Sequence, residues 1–284
     1  MRVFQSKESL RAWRGQVSGP VVLVPTMGAL HRGHQALLEA GRRLAGDGGH
    51  LVASIFVNPT QFGPGEDFES YPQSWAEDLA MCRAAGVEGV FAPSAGQLYA
   101  EDASLQVSET LLSETLCGAS RPGHFAGVCL VVLKLFHLVQ PQEAVFGKKD
   151  FQQFAILRRM VRDLDLPVTL HGLETVREAD GLALSSRNRY LSPAERKEAV
   201  CLRRALGAAE ERVARGESAA DPILSAARAE LARASLGRLD YLELVEAESL
   251  QPVRRLAGPS LLAVAMFFGE ARLIDNVELF PPAG

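Results

Sequence analysis

Residues 20–57 read PVVLVPTMGALHRGHQALLEAGRRLAGDGGHLVASIFV, and this stretch decides the fold class. The apolar, β-branched runs 20–25 and 51–57 each predict a buried strand. Between them, a glycine-containing turn leads into residues 34–46, where apolar side chains recur at helical spacing. A strand, a helix and a second strand in this order are typical of a right-handed crossover in a parallel sheet.

The same alternation continues toward the middle of the chain. Further helices are predicted near 74–85, at 125–139 with an amphipathic pattern, and at 151–163; further strands are predicted near 89–92, at 143–146 and at 168–172. Strands that alternate with helices indicate an α/β domain, in which ligands bind at the carboxyl ends of the strands.

After about residue 175 the pattern changes. Ser192, Pro193 and Glu195 predict a helix start with a capping box. Two alanine- and arginine-rich helices are expected at 193–215 and 219–234, followed by strands at 239–245, 260–268 and 272–279. We therefore predict an α/β fold: a Rossmann-like parallel-sheet domain over residues 1–175 and a smaller α+β domain over residues 176–284.

The composition indicates a folded protein without a surface for nucleic acid. Of its 284 residues, 47% are hydrophobic, and the net charge of −4 argues against broad phosphate binding. The four cysteines form no CxxC pair and have no histidine at zinc spacing, so we expect reduced, mostly buried thiols. Without a signal-peptide pattern or an apolar run near the ~20 residues that span a bilayer, we expect a cytoplasmic protein with no membrane partner.

The segment MGALHRGH, residues 27–34, lies between the first strand and the helix that follows it. Gly28 and Gly33 let a ligand approach the backbone, and a helix N-terminus offers N–H groups to a phosphate. His31 and His34 would flank such a site and donate to the charge that develops in nucleotidyl transfer. Two other interpretations stay open: surface histidines around a turn, or a metal site, although no third ligand is near in sequence.

Two further segments suit a polyphosphate. In FGKKD (146–150), Lys148 and Lys149 follow a strand and could reach phosphate oxygens, while Asp150 could simply cap a helix. In LSSRN (184–188), the hydroxyls and the arginine fork suit phosphates, with an ordinary polar turn as the alternative.

A third segment suits an uncharged or acidic substrate. FVNPTQFG (56–63) places the neutral amides of Asn58 and Gln61 after a strand, where they could bind hydroxyl or carboxylate oxygens. The loop 58–72 is rich in glycine, proline and acidic residues and is long enough to act as a lid.

In their order and spacing, these motifs resemble the pantothenate synthetase family, which belongs to the nucleotidylyltransferases with an HxGH motif. The match covers nearly the whole chain, through PTMGALHRGH (25–34), FVNPTQFG (56–63), RPGHFAGV (121–128), residues 133–153, DGLALSSRNRYLS (180–192), DYLELV (240–245) and ARLIDN (271–276). The resemblance implies a homodimer. It would use ATP and Mg²⁺ to join (R)-pantoate to β-alanine through a pantoyl-adenylate, and would release AMP and pyrophosphate.

The resemblance also implies roles for individual residues. His34 would be the proton donor, with His31 and Lys149 completing the catalytic set. The residues that would bind ATP are Met27, Gly28, Ala29, Leu30, His31, Arg32, Gly33, His34, Gly147, Lys148, Lys149, Asp150, Val176, Leu184, Ser185, Ser186 and Arg187. Gln61 and Gln153 would bind pantoate, and Gln61 would also contact β-alanine. Asn58 and Tyr71 would belong to the same substrate site, which loop 62–72 would cover.

The sequence departs from the usual family pattern at a few positions. Lys148 replaces a glutamate, Ala126 replaces a frequent arginine, and Gln73 follows Tyr71-Pro72 where arginine is common. The acidic pair is Glu77-Asp78, and the metal ligands therefore stay open.

Three other functions remain as alternatives. They are a nucleotidylyltransferase for a phosphorylated acceptor, a tRNA ligase, and a nucleotide-binding regulator without activity. A phosphorylated acceptor would require additional basic residues in the pocket. A tRNA ligase would require a basic patch, which is not visible in this sequence. A regulator without activity would not explain the complete set of polar residues in the motifs.

Overall fold

The computed structural model describes residues 1–282, and the chain divides into two compact units. The first unit contains residues 1–109, 121–148 and 153–174. The second contains residues 110–120, 149–152 and 175–284. The second unit thus includes two short segments that precede residue 153, and the predicted division into domains 1–175 and 176–284 stays a prediction.

The first unit contains a six-stranded sheet with the order β1-β4-β3-β2-β5-β6, and all of its paired strands are parallel. The strands are β1 (Arg2–Phe4), β2 (Val21–Thr26), β3 (His50–Ile55), β4 (Gly89–Phe91), β5 (Glu143–Gly147) and β6 (Thr169–Leu173). The predicted Rossmann-like parallel sheet is confirmed. The chain moves outward from β2 through β3 and β4 and then returns to the opposite side of β2 with β5. The switch point, where ligands bind in such sheets, is therefore between β2 and β5.

Helices connect these strands. They are α1 (Lys7–Arg14), α2 (Arg32–Ala45), α3 (Trp75–Ala84), the short α4 (Ala95–Leu98), α6 (His124–Val139) and α7 (Phe151–Asp163). The sequence predicts α2, α3, α6 and α7, whereas β1, α1 and α4 were not predicted. Leu38 of α2 packs with Val22, Val24 and Leu51 of the sheet in one buried cluster.

One helix differs in character from its prediction. The amphipathic pattern expected over 125–139 is wrong, because ten of the 16 residues of α6 are buried, in a run that includes Val131, Val132, Leu135 and Phe136. A helix that is apolar around most of its circumference must be covered on most sides, and α6 fits that rule.

The second unit contains a three-stranded antiparallel sheet with the order β7-β8-β9. Its elements are α5 (Leu116–Ser120), α8 (Pro193–Glu198), α9 (Cys201–Ala214), α10 (Ala220–Leu231), β7 (Gly237–Glu246), β8 (Ser260–Phe268) and β9 (Ala271–Leu279). A buried cluster joins the two longer helices to the sheet and includes Leu206, Ile223, Leu262 and Val264.

The start of the first C-terminal helix agrees with the prediction, but its length does not. The Ser192 side chain accepts from the Glu195 N–H, and Glu195 returns a hydrogen bond to the backbone of Ser192. The single helix expected over 193–215 is interrupted at Ala199 and Val200, whose ψ values of −21° and −15° are nearer to those of a 3₁₀ turn.

Two expectations about the chain as a whole can be compared with the structure. All four cysteines are free and buried, and burial raises the pKa of the Cys129 thiol to about 12 and those of Cys82 and Cys201 to about 11. These three thiols are therefore poor nucleophiles at neutral pH. Across residues 1–282, no helix has both the length and the apolar character needed to cross a membrane.

Gly41 provides a test of how tightly α2 packs on the sheet. A Cβ at Gly41 would lie 2.7 Å from Leu51 Cδ1 and 3.1 Å from Val24 Cγ2, and both neighbours are fully buried. We expect Gly41→Ala to destabilise the protein by about 1 kcal/mol or more despite the better helix propensity of alanine. The urea unfolding midpoint measures this loss.

Gly207 in α9 is the matched control, since a Cβ there would meet nothing within 4 Å. Gly207→Ala should stabilise the protein by about 0.5–1 kcal/mol. Equal midpoints for the two variants would contradict the packing argument.

Candidate active site

The segment 27–34 follows the carboxyl end of β2 and begins with a turn in an unusual conformation. Gly28 has φ of +86° and Ala29 has φ of +50°, so the backbone enters the left-handed region at both residues. Thr26 supports this turn, because its hydroxyl donates to the Ser54 carbonyl at 2.7 Å and accepts from the Gly28 N–H at 3.3 Å. The turn therefore depends on contacts to the neighbouring strand.

Asp78 makes the strongest contacts to this turn. Its Oδ2 accepts from the Ala29 N–H at 3.0 Å, and its Oδ1 accepts from the Leu30 N–H at 2.8 Å and from the Ser74 hydroxyl at 2.9 Å. The residue is only 2% exposed. Hydrogen bonds to a charged group in a buried place are stronger than neutral ones, so Asp78 fixes the left-handed turn.

His31 and His34 cap the helix that follows. α2 begins at Arg32, two residues before its predicted start, with His31 as the N-cap. His31 Nδ1 accepts from the Gly33 N–H at 3.1 Å, and His34 Nδ1 accepts from the His31 N–H at 3.3 Å. The expectation that the helix N-terminus offers open N–H groups to a phosphate is therefore wrong for His31 and Gly33, because imidazole acceptors already use them. The N–H groups of Ala29 and Leu30, just before the helix, are likewise used by the Asp78 carboxylate.

The capping contacts determine which imidazole nitrogen can act on a ligand. A neutral ring that accepts at Nδ1 carries its proton on Nε2. The two rings lie side by side, with centroids 4.2 Å apart. Each neutral histidine can thus donate through Nε2 at the switch point of the sheet, while its predicted stabilisation of phosphate charge stays a prediction.

Asn58 and Gln61 lie after β3, in and beside a 3₁₀ turn at Pro59–Gln61. Asn58 Nδ2 donates to Gln61 Oε1 at 3.1 Å and to the Gly127 carbonyl at 3.2 Å. Asn58 Oδ1 accepts from the Tyr99 hydroxyl at 2.8 Å, and burial raises the pKa of that phenol. Asn58 is 1% exposed and supports Gln61, while its predicted direct contact with substrate stays a prediction.

Gln61 connects this turn to the segment after β2. Its Nε2 lies 3.2 Å from the Met27 sulfur. Met27 and Gln61, predicted for different ligands, therefore touch each other.

The loop after Gln61 has its own aromatic cluster. Phe62 packs against Phe68 with ring centroids 5.4 Å apart and against Tyr71 at 6.1 Å, and Tyr71 is buried. This packing gives the loop a defined position, while its predicted role as a lid stays a prediction.

Gly147, Lys148 and Gln153 are the other predicted site residues of the first unit. Gly147 ends β5, beside the end of β2, and Gln153 lies half-buried in the first turn of α7. The Lys148 ammonium lies 2.7 Å from a carboxylate oxygen of Glu174, which offsets its charge. The substitution of lysine for the family's glutamate at this position therefore adds less positive charge than the sequence alone implies.

In the second unit, the structure brings Val176 together with Leu184. The Leu184 N–H donates to the Val176 carbonyl at 3.0 Å, and Arg177 pairs with Ala183 in the same short hairpin. Arg177 fixes the hairpin through a fork to the buried Asp275 carboxylate, with distances of 2.7 and 3.0 Å. Ser185, which follows Leu184, caps a 3₁₀ turn over Ser186–Tyr190: its hydroxyl accepts from the Arg187 N–H.

Lys149 and Asp150 also belong to the second unit. The Lys149 ammonium lies 3.6 Å from the Asp150 carboxylate, and the Lys149 carbonyl accepts from Asn276 Nδ2 at 2.9 Å. Asp275 and Asn276, adjacent on β9, thus fix two separate segments that carry predicted phosphate ligands.

The chain was compared with known proteins. A family model described as pantoate–β-alanine ligase matches residues 2–278. The chain belongs to the pantoate–β-alanine ligase family. It is an enzyme of the ligase class, and the resemblance drawn from the sequence motifs is confirmed.

Similar proteins span the full chain. A pantothenate synthetase of Akkermansia muciniphila is 51% identical over 98% of this chain and 100% of its own length. The crystal structure of pantothenate synthetase from Thermus thermophilus is 48% identical and superposes with a TM-score of 0.94, over 99% of this chain and 100% of that one. A pantoate–β-alanine ligase of Francisella tularensis, solved with β-γ ATP and β-alanine, is 28% identical with a TM-score of 0.81, over 98% and 97% of the two chains.

Several residues that support the predicted site segments in this structure were not predicted from the sequence. Asp78 was noted only as half of an acidic pair, and Tyr99, Asp275 and Asn276 were not assigned. Asp78 lies 48 and 49 residues from its two backbone partners, so no local pattern could have indicated the contact.

The side chains of the site do not form a metal cage. In the described part of the chain, no three His, Cys, Asp or Glu side chains are grouped so that they could hold a metal ion. Asp78 is a poor ligand because both of its oxygens accept backbone N–H groups. The residues present therefore do not fit a metal ion bound by protein alone, and the metal interpretation of His31 and His34 is not supported.

Asp78→Asn tests the support of the turn. An asparagine keeps one acceptor but directs an NH₂ group at the second backbone N–H, which leaves a buried donor unpaired at a cost of about 1–3 kcal/mol. We expect faster amide hydrogen exchange in the peptide covering residues 28–31 and a lower urea midpoint.

Glu77→Gln is the control, because Glu77 is the exposed neighbour on the same helix. It should leave exchange in residues 28–31 unchanged. Equal exchange rates in the two variants would show that Asp78 does not hold the turn.

Proposed function

We propose that this chain condenses pantoate with β-alanine in two steps, through a pantoyl-adenylate. The contact between Met27 and Gln61 carries this proposal, because it joins the paired imidazoles of the HxGH segment to a neutral amide suited to a hydroxy acid. The ATP and β-alanine bound to the Francisella ligase support the same substrates here.

The first step activates the acid. A pantoate carboxylate oxygen attacks the α-phosphorus of ATP, a new P–O bond forms, and the bond to pyrophosphate breaks. Negative charge grows on the phosphate oxygens, and N–H donors at fixed positions stabilise it. His34 donates through Nε2 as the principal catalytic group, with His31 beside it.

The second step forms the amide. The β-alanine amine attacks the carbonyl carbon of the adenylate, AMP leaves with the C–O bond electrons, and the amine loses a proton. AMP is a far better leaving group than oxide, which explains why the acid needs activation. Gln61 contacts both pantoate and β-alanine, and Gln153 contacts pantoate.

Cationic and hydroxyl groups hold the nucleotide. We assign phosphate oxygens to the Lys149 ammonium, the Ser185 and Ser186 hydroxyls and the Arg187 fork, which suit anions. Backbone at Met27–His34, Gly147–Asp150, Val176 and Leu184 contacts the rest of ATP. The phosphates of ATP would hold the Mg²⁺, which would supply positive charge there, since this ion commonly binds substrate phosphates and water together with few carboxylates.

Assembly as a homodimer comes from the family resemblance alone. Location in the cytoplasm is also part of the proposal. A nucleotidylyltransferase for a phosphorylated acceptor is the competing function. It is less suited to a substrate position built from the neutral amides of Gln61 and Gln153.

Pyrophosphate release tests the reaction order. With ATP and pantoate alone, we expect one equivalent of pyrophosphate per active site, because the adenylate stays bound. Adding β-alanine should then give AMP, pyrophosphate and pantothenate in equal amounts. Formation of ADP and inorganic phosphate would exclude the adenylate.

Replacing His34 tests the main catalytic assignment. His34→Ala should lower the single-turnover rate of pyrophosphate formation about 100-fold or more, the scale typical of a positioned donor. Gln35→Ala is the matched control, because Gln35 is the next residue on α2 and is exposed. If His34→Ala retains a rate within about threefold of the Gln35→Ala rate, His34 is not catalytic.

A further inference from the structure

Three side chains without an assigned role form a connected cluster beside Gln61, and two of them contact its main chain. They are Glu66 in loop 62–72, Arg121 before α6, and His124 at the first residue of α6. We refer to them as the Glu66–Arg121–His124 cluster. All three and Gln61 belong to the first unit.

Two members of the cluster bind the Gln61 carbonyl. His124 Nδ1 lies 2.8 Å from this oxygen, and Arg121 Nη2 donates to it at 3.2 Å. The oxygen belongs to the residue whose side-chain amide is proposed to bind pantoate. A shift of this carbonyl would therefore move the amide as well.

Arg121 connects the same carbonyl to the loop. Its Nε and Nη2 donate to the two Glu66 carboxylate oxygens at 2.7 and 2.6 Å, which is the bidentate geometry of a strong ion pair. Glu66 Oε2 also accepts from the Gly63 N–H at 3.2 Å and so closes the first turn of the loop. The side chains of Arg121 and Glu66 are only 14% and 25% exposed, so water screens this ion pair less than a surface pair.

The hydrogen bonds within the cluster define the tautomer of His124 and the ionisation of Glu66. Arg121 Nη1 lies 3.0 Å from His124 Nε2, and a guanidinium can only donate, so Nε2 accepts. The proton of the neutral imidazole is then on Nδ1, from which it is donated to the Gln61 carbonyl. Burial by itself would raise the pKa of Glu66, but the hydrogen bonds and charge of Arg121 outweigh burial and lower it. Glu66 is therefore ionised at neutral pH.

The turn that carries Gln61 also rests directly on α6. A Cβ at Gly127 would lie 2.7 Å from the Gln61 nitrogen and even closer to the Thr60 carbonyl. Backbone thus packs on backbone at this point, and the turn cannot move away from its support without losing the Asn58 contact to Gly127 as well. The cluster then fixes a further polar group of the turn, the Gln61 carbonyl.

We propose that Arg121 and His124, held by Glu66, are positioning residues that set the orientation of Gln61 for pantoate and couple it to loop 62–72. The inference rests on the proposed function, in which Gln61 binds pantoate. The cluster touches the Gln61 main chain, so its loss should change the affinity for pantoate. ATP affinity depends on other residues and should change little.

Kinetics of four variants test the positioning. Arg121→Lys keeps the charge but loses the fork. We expect it to raise the KM for pantoate at least about tenfold, with the KM for ATP within about twofold of wild type. His124→Ala should act in the same direction. His124→Gln, which offers an amide donor to Gln61 and an amide acceptor to Arg121, should restore a KM near that of wild type. Arg215→Lys is the control, since Arg215 and its partner Glu211 are 75% and 72% exposed.

Proteolysis tests the coupling to the loop without any substrate. A protease specific for glutamate can cut after Glu69, which is exposed. We expect Arg121→Lys and Glu66→Gln to be cut several-fold faster at this position than wild type or Arg215→Lys.

Each outcome bears on the inference. It is overturned if the KM values for ATP and pantoate rise equally, if neither rises, if His124→Gln behaves like His124→Ala, or if cleavage at Glu69 is unchanged. A wild-type chain that forms no pantothenate would instead overturn the proposed function, and the cleavage result would still decide whether the cluster holds the loop.

Discussion

The hydrogen bonds between the Asp78 carboxylate and the backbone of Ala29 and Leu30 are the constraint on which the rest of the site depends. Gly28 and Ala29 have positive φ, and the turn that they form brings the N–H groups of Ala29 and Leu30 to one carboxylate, as in a natural anion site. In this chain the anion is a side chain of the protein itself. The segment after β2 therefore has a fixed shape before any ligand arrives, and the imidazoles that follow start from a defined backbone.

That arrangement changes which groups can bind phosphate. In many nucleotide sites the free N–H groups of a glycine turn and of a helix N-terminus bind the phosphate. Asp78 and the two imidazole Nδ1 atoms already accept from four of these N–H groups. Under the proposed function, phosphate binding then falls to imidazole Nε2, ammonium, hydroxyl and guanidinium groups. Such side chains can be placed individually around a charge that moves from the α-phosphate to pyrophosphate.

How much the sequence could predict follows from the range of each interaction. The central strands, the longer helices after them and the parallel sheet follow from apolar periodicity within a few residues, and the capping box at Ser192 is equally local. The short elements β1, α4 and α5 carry too few residues to show such a period. The motif residues were found because they cluster in short segments. Asp78, Tyr99 and Asp275 were not, because each acts on a partner 41 or more residues away. The helix break at Ala199 and Val200 was not predicted either, since both residues keep nearly helical dihedral angles.

The orientation of the Gln61 amide shows how such distant contacts produce specificity. The Gly127 carbonyl can only accept and the Thr60 N–H can only donate, so together they fix which end of the Asn58 amide is Nδ2. Nδ2 also faces Gln61, and the Gln61 atom that meets it must be the oxygen. The Gln61 NH₂ group is then the end that lies 3.2 Å from the Met27 sulfur. Under the proposed function, a donor in this place suits the hydroxyl and carboxylate oxygens of a hydroxy acid.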